Sequence, residues 1–184
     1  MGVMNADNPN LVRAALDGGI VHFDTAHGYM RGRNEEMLGE VFKGVKRDSF
    51  TLATKVVPPG LDRRSGVFAP DTRPEAMVEL FHLSLKRLRM DHVDILFLHN
   101  ATRREAVLHE PVLKALLQLK KEGKARAIGV STHANEPEVI RAAAGSGAYD
   151  VVLTSYNFKQ AHRAEVRAAC QEARTSARWA CLKL

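Results

Sequence analysis

The sequence has little or none of several features that mark particular classes of protein. Its 184 residues include two cysteines, which form no Cys-x-x-Cys pair and no metal-ligand spacing, so neither a disulfide scaffold nor a zinc site is indicated. No apolar run approaches the ~18 residues that a bilayer crossing needs, so no membrane partner is expected. The first ten residues lack the charged-then-apolar order of a signal peptide, which predicts a cytoplasmic location.

Motifs that bind phosphate or nucleic acid are also missing. There is neither a Gly-x-Gly-x-x-Gly fingerprint nor a Walker-type loop. Aromatic residues make up 6% of the chain and are not interleaved with basic ones. The formal net charge is +6, but the basic residues of "KGVKR", "KRLRM" and "LKKEGKAR" stand at helix ends, where solvated side chains are ordinary. The sequence therefore predicts no nucleic-acid partner.

Short apolar runs alternate with helical patterns along the chain, 45% of which is hydrophobic. Five runs, each too short for a helix, are predicted strands: "GIVHFDTA", "FTLATKVV", "VDILFLHN", "ARAIGVST" and "YDVVLTSYN". Between them, helical spacing of apolar residues is clearest in "PEAMVELFHLSLKRLRM" and "EPVLKALLQLKKEG". Prolines mark predicted first turns and glycines mark predicted helix ends: Pro74, Pro111 and Pro137; Gly18, Gly44 and Gly123.

Strands that are separated by helices run parallel, and their continuous apolar character predicts that both faces of the sheet are covered. The fold class is therefore α/β. Strand count alone leaves two architectures open, a doubly wound sheet and a (β/α)8 barrel. The one long predicted connection, residues 58–74, follows a strand, where long loops often line a site.

Polar residues end four of the predicted strands, at the edge where parallel α/β folds collect their functional groups. They are Asp24, Lys55, His99 and Ser131, and Tyr29 follows Asp24 in the same loop. Singly, each has an ordinary structural interpretation, such as a turn, a helix cap, a surface ring or a core histidine. Lys55 is the exception, because an ammonium at the end of an apolar run needs water or a carboxylate partner such as Asp24.

Together these residues suit a site that donates a proton. A phenol has a pKa near ~10, and a neighbouring lysine cation is expected to lower the pKa of Tyr29 by stabilising the phenolate. A histidine beside the phenol can orient a carbonyl oxygen as negative charge develops on it. No side chain supplies hydride, so reduction of a carbonyl would require a nicotinamide cofactor.

The segments "FDTAHGY…NEEMLGE", "LATK", "SLKRLRMDHVDILFLH", "GKARAIGVS" and "YDVVLTSYN" occur in the order and spacing of the aldo-keto reductases. The chain resembles that family from about residue 8 to about residue 173. The resemblance implies a (β/α)8 barrel that reduces a small aldehyde or ketone with NADPH or NADH.

The resemblance also implies roles for single residues. The catalytic tetrad of the family falls on Asp24, Tyr29, Lys55 and His99. Tyr29 would be the general acid, Lys55 would modulate its pKa, Asp24 would hold Lys55 and His99 would orient the substrate. Ser131 and Thr132 match the pair that holds the nicotinamide carboxamide, although the family has asparagine at the second position. A glutamine common in the next strand is Leu153 here.

The chain is shorter than the ~250 residues typical of the barrel. We therefore expect one partial barrel domain over residues 1–184, truncated, without the first and the last two strands, and with a divergent tail at residues 174–184. Open sheet edges predict self-association, and an incomplete cofactor site predicts weak or no activity. Two other classes remain open. One is a non-catalytic binding module like the potassium-channel β subunits, which resemble this family. The other is an open-sheet hydrolase, although "GVSTH" is not its Gly-x-Ser-x-Gly motif.

Overall fold

A computed structural model describes residues 1–62, 64–175 and 180–183 of the chain. Within these ranges, six parallel strands form one sheet in sequential order, curled into part of a barrel. The strands are β1 (His22–Asp24), β2 (Thr51–Val56), β3 (Val93–Leu98), β4 (Ala125–Thr132), β5 (Val151–Thr154) and β6 (Ala180–Lys183). The alternation of strands and helices that the sequence predicts is confirmed, and the sequential order is that of a barrel rather than a doubly wound sheet.

The described part of the chain has seven α-helices, which connect or flank the strands. They are α1 (Pro9–Asp17), α2 (Arg33–Val41), α3 (Pro74–Leu88), α4 (Arg104–Val107), α5 (Glu110–Lys121), α6 (Glu136–Ser146) and α7 (Arg163–Thr175), and two 3-10 turns span Tyr29–Gly32 and Arg47–Ser49. Proline lies in the first turn of α3, α5 and α6, as predicted. Its fixed φ and missing N–H suit that position.

The two faces of the sheet contact different surroundings, because alternate side chains of a strand point to opposite sides. Outward-facing residues such as Phe23 and Leu52 are fully buried in the main core beneath the helices. A second, smaller core lies on the inward face and contains Ala53, Phe97, Val151 and Leu153. Lys55 is paired in register with Phe97, so its side chain belongs to the inward face.

The ends of the chain differ in part from the sequence prediction. Gly2 forms a single parallel bridge with Asp24. The sequence predicted that the first barrel strand is missing, and at that position the structure has one bridged residue pair. Strand β6 lies in the tail for which no strand was predicted, which corrects the predicted strand count from five to six. Residues 176–179 and 184 of that tail lie outside the described residues. None of the helices that the structure describes has the length and apolarity needed to cross a bilayer.

Candidate active site

Lys55 and Asp24 form a buried ion pair at the carboxyl ends of adjacent strands. Lys55 is 2% exposed and Asp24 is 8% exposed. The Lys55 Nζ donates to Asp24 Oδ1 and, at 2.8 Å, to the Thr25 carbonyl oxygen. The predicted partnership of these two residues is therefore present in the structure. A buried ammonium needs such partners because its hydration has been lost.

The third hydrogen bond of Lys55 reaches Tyr29. The Nζ lies 3.3 Å from the Tyr29 Oη and 5.0 Å from the centre of its ring. An ammonium has three N–H donors and no acceptor, so all three donors of Lys55 are used and the phenol can only accept from it. The hydroxyl proton of Tyr29 must therefore point elsewhere.

His99 follows β3 and lies beside the phenol. The ring centres of Tyr29 and His99 are 5.9 Å apart, with the ring planes at 80° in an edge-to-face arrangement. The backbone N–H of His99 donates to the Val56 carbonyl at 2.9 Å, which ties the residue to the end of β2. The four residues that the sequence predicted as a catalytic group thus lie together.

Burial dominates the electrostatics of this group. It lowers the pKa of Lys55 and raises the pKa of Asp24, while the attraction between the two opposes both changes. Burial, followed by the nearby Asp24 carboxylate, raises the pKa of Tyr29 to about 12. The pKa of Tyr29 thus shifts in the direction opposite to the lowering by Lys55 that the sequence predicted, and burial is the largest cause. Tyr29 holds its proton firmly at neutral pH.

The two residues predicted to hold a nicotinamide differ in their surroundings. Ser131 is buried, and its Oγ makes a long hydrogen bond of 3.4 Å to the Leu98 carbonyl. The Thr132 Oγ1 donates to the Ala134 carbonyl at 2.6 Å and accepts from the Ala134 N–H at 3.3 Å. The hydroxyl of Ser131 is therefore the more available of the two, and the cofactor role of both stays a prediction.

Two cavities open beside the site and share one residue that the sequence interpretation missed. One, of about 490 Å³, is lined by Asp24, Tyr29, His133 and the segment 1–6 with Leu11. The other, of about 230 Å³, is lined by His133 and by parts of the connections after β2 and β3. The His133 Nδ1 lies 3.1 Å from Ser155 Oγ. Its position directly after Ser131 and Thr132 was the available signal.

The loop at residues 58–74 contributes to the smaller cavity, as its length suggested. Leu61, Asp62 and Gly66 line that cavity. Leu61 bridges to Phe68, and the Asp62 N–H donates to the Val67 carbonyl at 3.0 Å. Within the described part of the chain, no group of three or more His, Cys, Asp and Glu side chains could hold a metal ion.

Sequence comparison matches residues 3–175 to the model of the Aldo/keto reductase family. The aldo-keto reductase YhdN of Bacillus subtilis is 37% identical over 126 residues, which cover 68% of this chain and 37% of that protein. The chain thus spans well under half the length of this curated relative.

Solved structures share the fold. The Pseudomonas aeruginosa protein PA4992 matches with a TM-score of 0.75 and 27% identity, over 95% of this chain and 61% of that one. The aldo-keto reductase of Klebsiella pneumoniae, which was crystallised in complex with NADPH, matches with a TM-score of 0.70 and 24% identity. That match covers 93% of this chain and 56% of the Klebsiella chain.

Proposed function

The chain belongs to the aldo/keto reductase family, and on that premise we propose that its strand-end site reduces a small aldehyde or ketone with a nicotinamide cofactor. Tyr29 donates the proton in this proposal. One observation carries it: Lys55 uses its three N–H groups on Asp24, Thr25 and Tyr29. The phenol proton is thereby left for a ligand in the cavity that Tyr29 and Asp24 line.

The raised pKa of Tyr29, about 12, suits a donor that acts late. The phenol stays protonated at neutral pH and gives up its proton only as the carbonyl oxygen gains negative charge. Lys55 then faces the phenolate at its existing hydrogen-bond position and stabilises the charge. Asp24 keeps the ammonium in place, because a carboxylate on the far side fixes its direction.

His99 orients the substrate. Its ring meets the ring of Tyr29 edge to face, so both side chains border the position that a carbonyl oxygen would take. A second hydrogen-bond donor at that position stabilises the developing oxyanion without reorganisation.

The residues present fit the nicotinamide end of NADPH or NADH. The buried Ser131 makes only one long hydrogen bond through its hydroxyl and can hold the carboxamide, while Thr132 contributes through its backbone position at the end of β4. When bound, the reduced nicotinamide would supply hydride to the carbonyl carbon. The proton of Tyr29 would then complete the alcohol at the carbonyl oxygen.

The 184-residue chain by itself is expected to bind the cofactor weakly and to turn over slowly. Neither of the two cavities that His133 lines includes a lysine or arginine among its described lining residues. The phosphates of a dinucleotide would therefore find no basic side chain there, and charge-assisted contacts are the strong ones for phosphate. Within the part of the chain that the structure describes, the lining of these two cavities therefore offers no basic side chain for the cofactor phosphates.

The test is nicotinamide fluorescence with NADPH and NADH, together with turnover of a test aldehyde at high protein concentration. Tyr29→Phe is expected to keep the weak binding and to lose about 10²–10⁴-fold in turnover. Tyr149→Phe is the matched control, because its hydroxyl bonds to the Val107 carbonyl in the buried core, away from the site.

Equal turnover by Tyr29→Phe and the parent chain would overturn the assignment of the proton donor. Micromolar affinity of the parent chain for NADPH would overturn the expectation of weak binding. Binding without any turnover would favour the non-catalytic module instead.

A further inference from the structure

A buried polar network lies directly behind the loop that carries Tyr29. Glu35 of α2 is fully buried. Its Oε1 accepts from Thr54 Oγ1 at 2.7 Å, and its Oε2 lies 3.4 Å from Arg87 Nη1. Thr54 immediately precedes Lys55 in β2. A fully buried carboxylate requires such partners, so Arg87 is the counter-charge of Glu35 rather than a solvated helix-end residue as the sequence suggested.

Arg87 also contacts both ends of the loop at residues 27–32, which carries Tyr29. Its Nη1 donates to the His27 carbonyl at 3.2 Å and lies 3.4 Å from His27 Nδ1. That imidazole nitrogen is also 3.0 Å from Ser84 Oγ, again on α3. At the other end, the guanidinium occupies the space above Gly32, where an added Cβ would lie 2.3 Å from Arg87 Cζ.

The loop between these two anchors has an uncommon backbone conformation. Met30 and Arg31 have φ angles of 50° and 58°, and Gly32 follows with φ 91°. Non-glycine residues in the left-handed region persist when the surrounding structure over-determines them. We propose that Arg87 is a positioning residue, which clamps His27 and Gly32 and so aims the Tyr29 ring at Lys55 and His99.

This inference rests on the proposed function. The orientation of the Tyr29 ring matters there because the phenol donates a proton. The test measures the orientation of the Tyr29 ring directly, without cofactor or substrate. The probe is the nuclear Overhauser effect between the Tyr29 and His99 rings, in protein that is deuterated except at tyrosine and histidine. Ring centres 5.9 Å apart bring ring protons close enough for the signal.

The main variant is Glu35→Gln with Arg87→Met, which removes both charges and leaves no unpaired buried ion. The control is Glu40→Gln with Arg89→Met, which removes an exposed ion pair between the same two helical regions. We expect the main variant to remain folded by circular dichroism and to lose most of the ring-to-ring signal. The control is expected to keep that signal.

A folded main variant with an unchanged signal would overturn the proposal. Arg87→Lys decides the question if the main variant does not fold, with Arg89→Lys as its control. Lysine keeps a charge opposite Glu35, but it has no planar guanidinium to fill the space above Gly32, where Arg87 Cζ, Nη1 and Nε lie. Loss of the signal in Arg87→Lys alone supports the clamp, and retention refutes it. Either result stands apart from turnover, which tests Tyr29 as the donor.

Discussion

Lys55 and Asp24 show how a single residue pair maintains the site against the cost of burial. Burial lowers the pKa of Lys55 and raises the pKa of Asp24, so it disfavours both charges. The ion pair and the Thr25 carbonyl offset that cost at the lysine. Removing one partner therefore does more harm than the pair contributes in net stability.

Asp24→Asn is expected to destabilise the protein by about 3–5 kcal/mol, because the ammonium of Lys55 would remain buried without its carboxylate. The pKa of Lys55 would fall further, since the attraction that raises it is lost. Urea unfolding measures the change. Glu110→Gln is the control, because the Glu110–Lys114 pair is largely exposed, and it should leave the midpoint unchanged. Equal stability of Asp24→Asn and the parent chain would contradict the prediction.

The half-buried His27 predicts a pH dependence of stability. Burial, the largest cause, and Arg87 lower its folded pKa below the ordinary 6.5, although Glu35 opposes the change. Burial likewise lowers the pKa of His22, His92 and His109. Below pH 6.5 these four histidines therefore bind more protons in the unfolded chain than in the folded one. Stability is expected to decrease as the pH falls from about 7.5 to about 5.5.

Unfolding free energies at those two pH values test this, with His27→Gln as the variant. It is expected to show a smaller decrease than the parent chain, because one of the buried imidazoles has been removed. His82→Gln changes an exposed histidine and should keep the parent slope. An identical slope in His27→Gln would show that this imidazole does not contribute.

Glu35 and Arg87 mark the limit of sequence interpretation for single residues. Glu35 and Glu36 are adjacent and chemically alike, yet the first is buried and the second is exposed. Helix α2 spans nine residues, which is too short for periodicity to fix which of two neighbours faces inward. Arg87 likewise lies between exposed basic residues. The pair becomes recognisable when α2 packs against α3 and brings Glu35 and Arg87 together.

At the scale of the strand, the main site was predictable because its polar residues end apolar runs and the pleat turns their side chains to the same face of the sheet. Asp24, Lys55, His99 and Ser131 each end an apolar run, and alternation along β1 to β4 brings them to the inward face. Sequential strand order then sets them side by side. Strand β6 was not predicted, because its apolar residues at 180–182 form a short run that a lysine ends.

The packing of α2 on α3 sets the distance between Glu35 and Arg87, and Gly39 permits it. A Cβ at Gly39 would lie 2.4 Å from the Arg87 carbonyl oxygen. Gly39→Ala should therefore force the helices apart and destabilise the protein by about 1–3 kcal/mol, although alanine favours a helix.

The matched control for Gly39→Ala is Gly145→Ala in α6, where an added Cβ meets no atom within 4 Å. Only the gain in helix propensity acts there, so stability should rise by about 0.5–1 kcal/mol. Thermal unfolding of the two variants measures opposite signs. A stabilised Gly39→Ala would mean that the helices do not approach as closely as the structure has them.

At the scale of the whole molecule, the six parallel strands that the structure describes form a sheet that does not close. The β1 edge is partly covered, because the Val3 N–H donates to the Asp24 carbonyl at 3.0 Å and the Asp24 N–H donates to the Met1 carbonyl at 2.9 Å. Among the described residues, no strand pairs with the outer edge of β6.

We therefore predict that the 184-residue chain self-associates through its open side, because unpaired strand edges recruit further chains. Sedimentation velocity over a range of concentrations should show a mass that rises with concentration. Phe158 provides the control, because it is 80% exposed and could cause association by itself. Phe158→Ser should associate as the parent chain does. A monomer at every concentration would refute the prediction. Loss of association in Phe158→Ser would show that the exposed Phe158 ring, and not the sheet edge, causes the association.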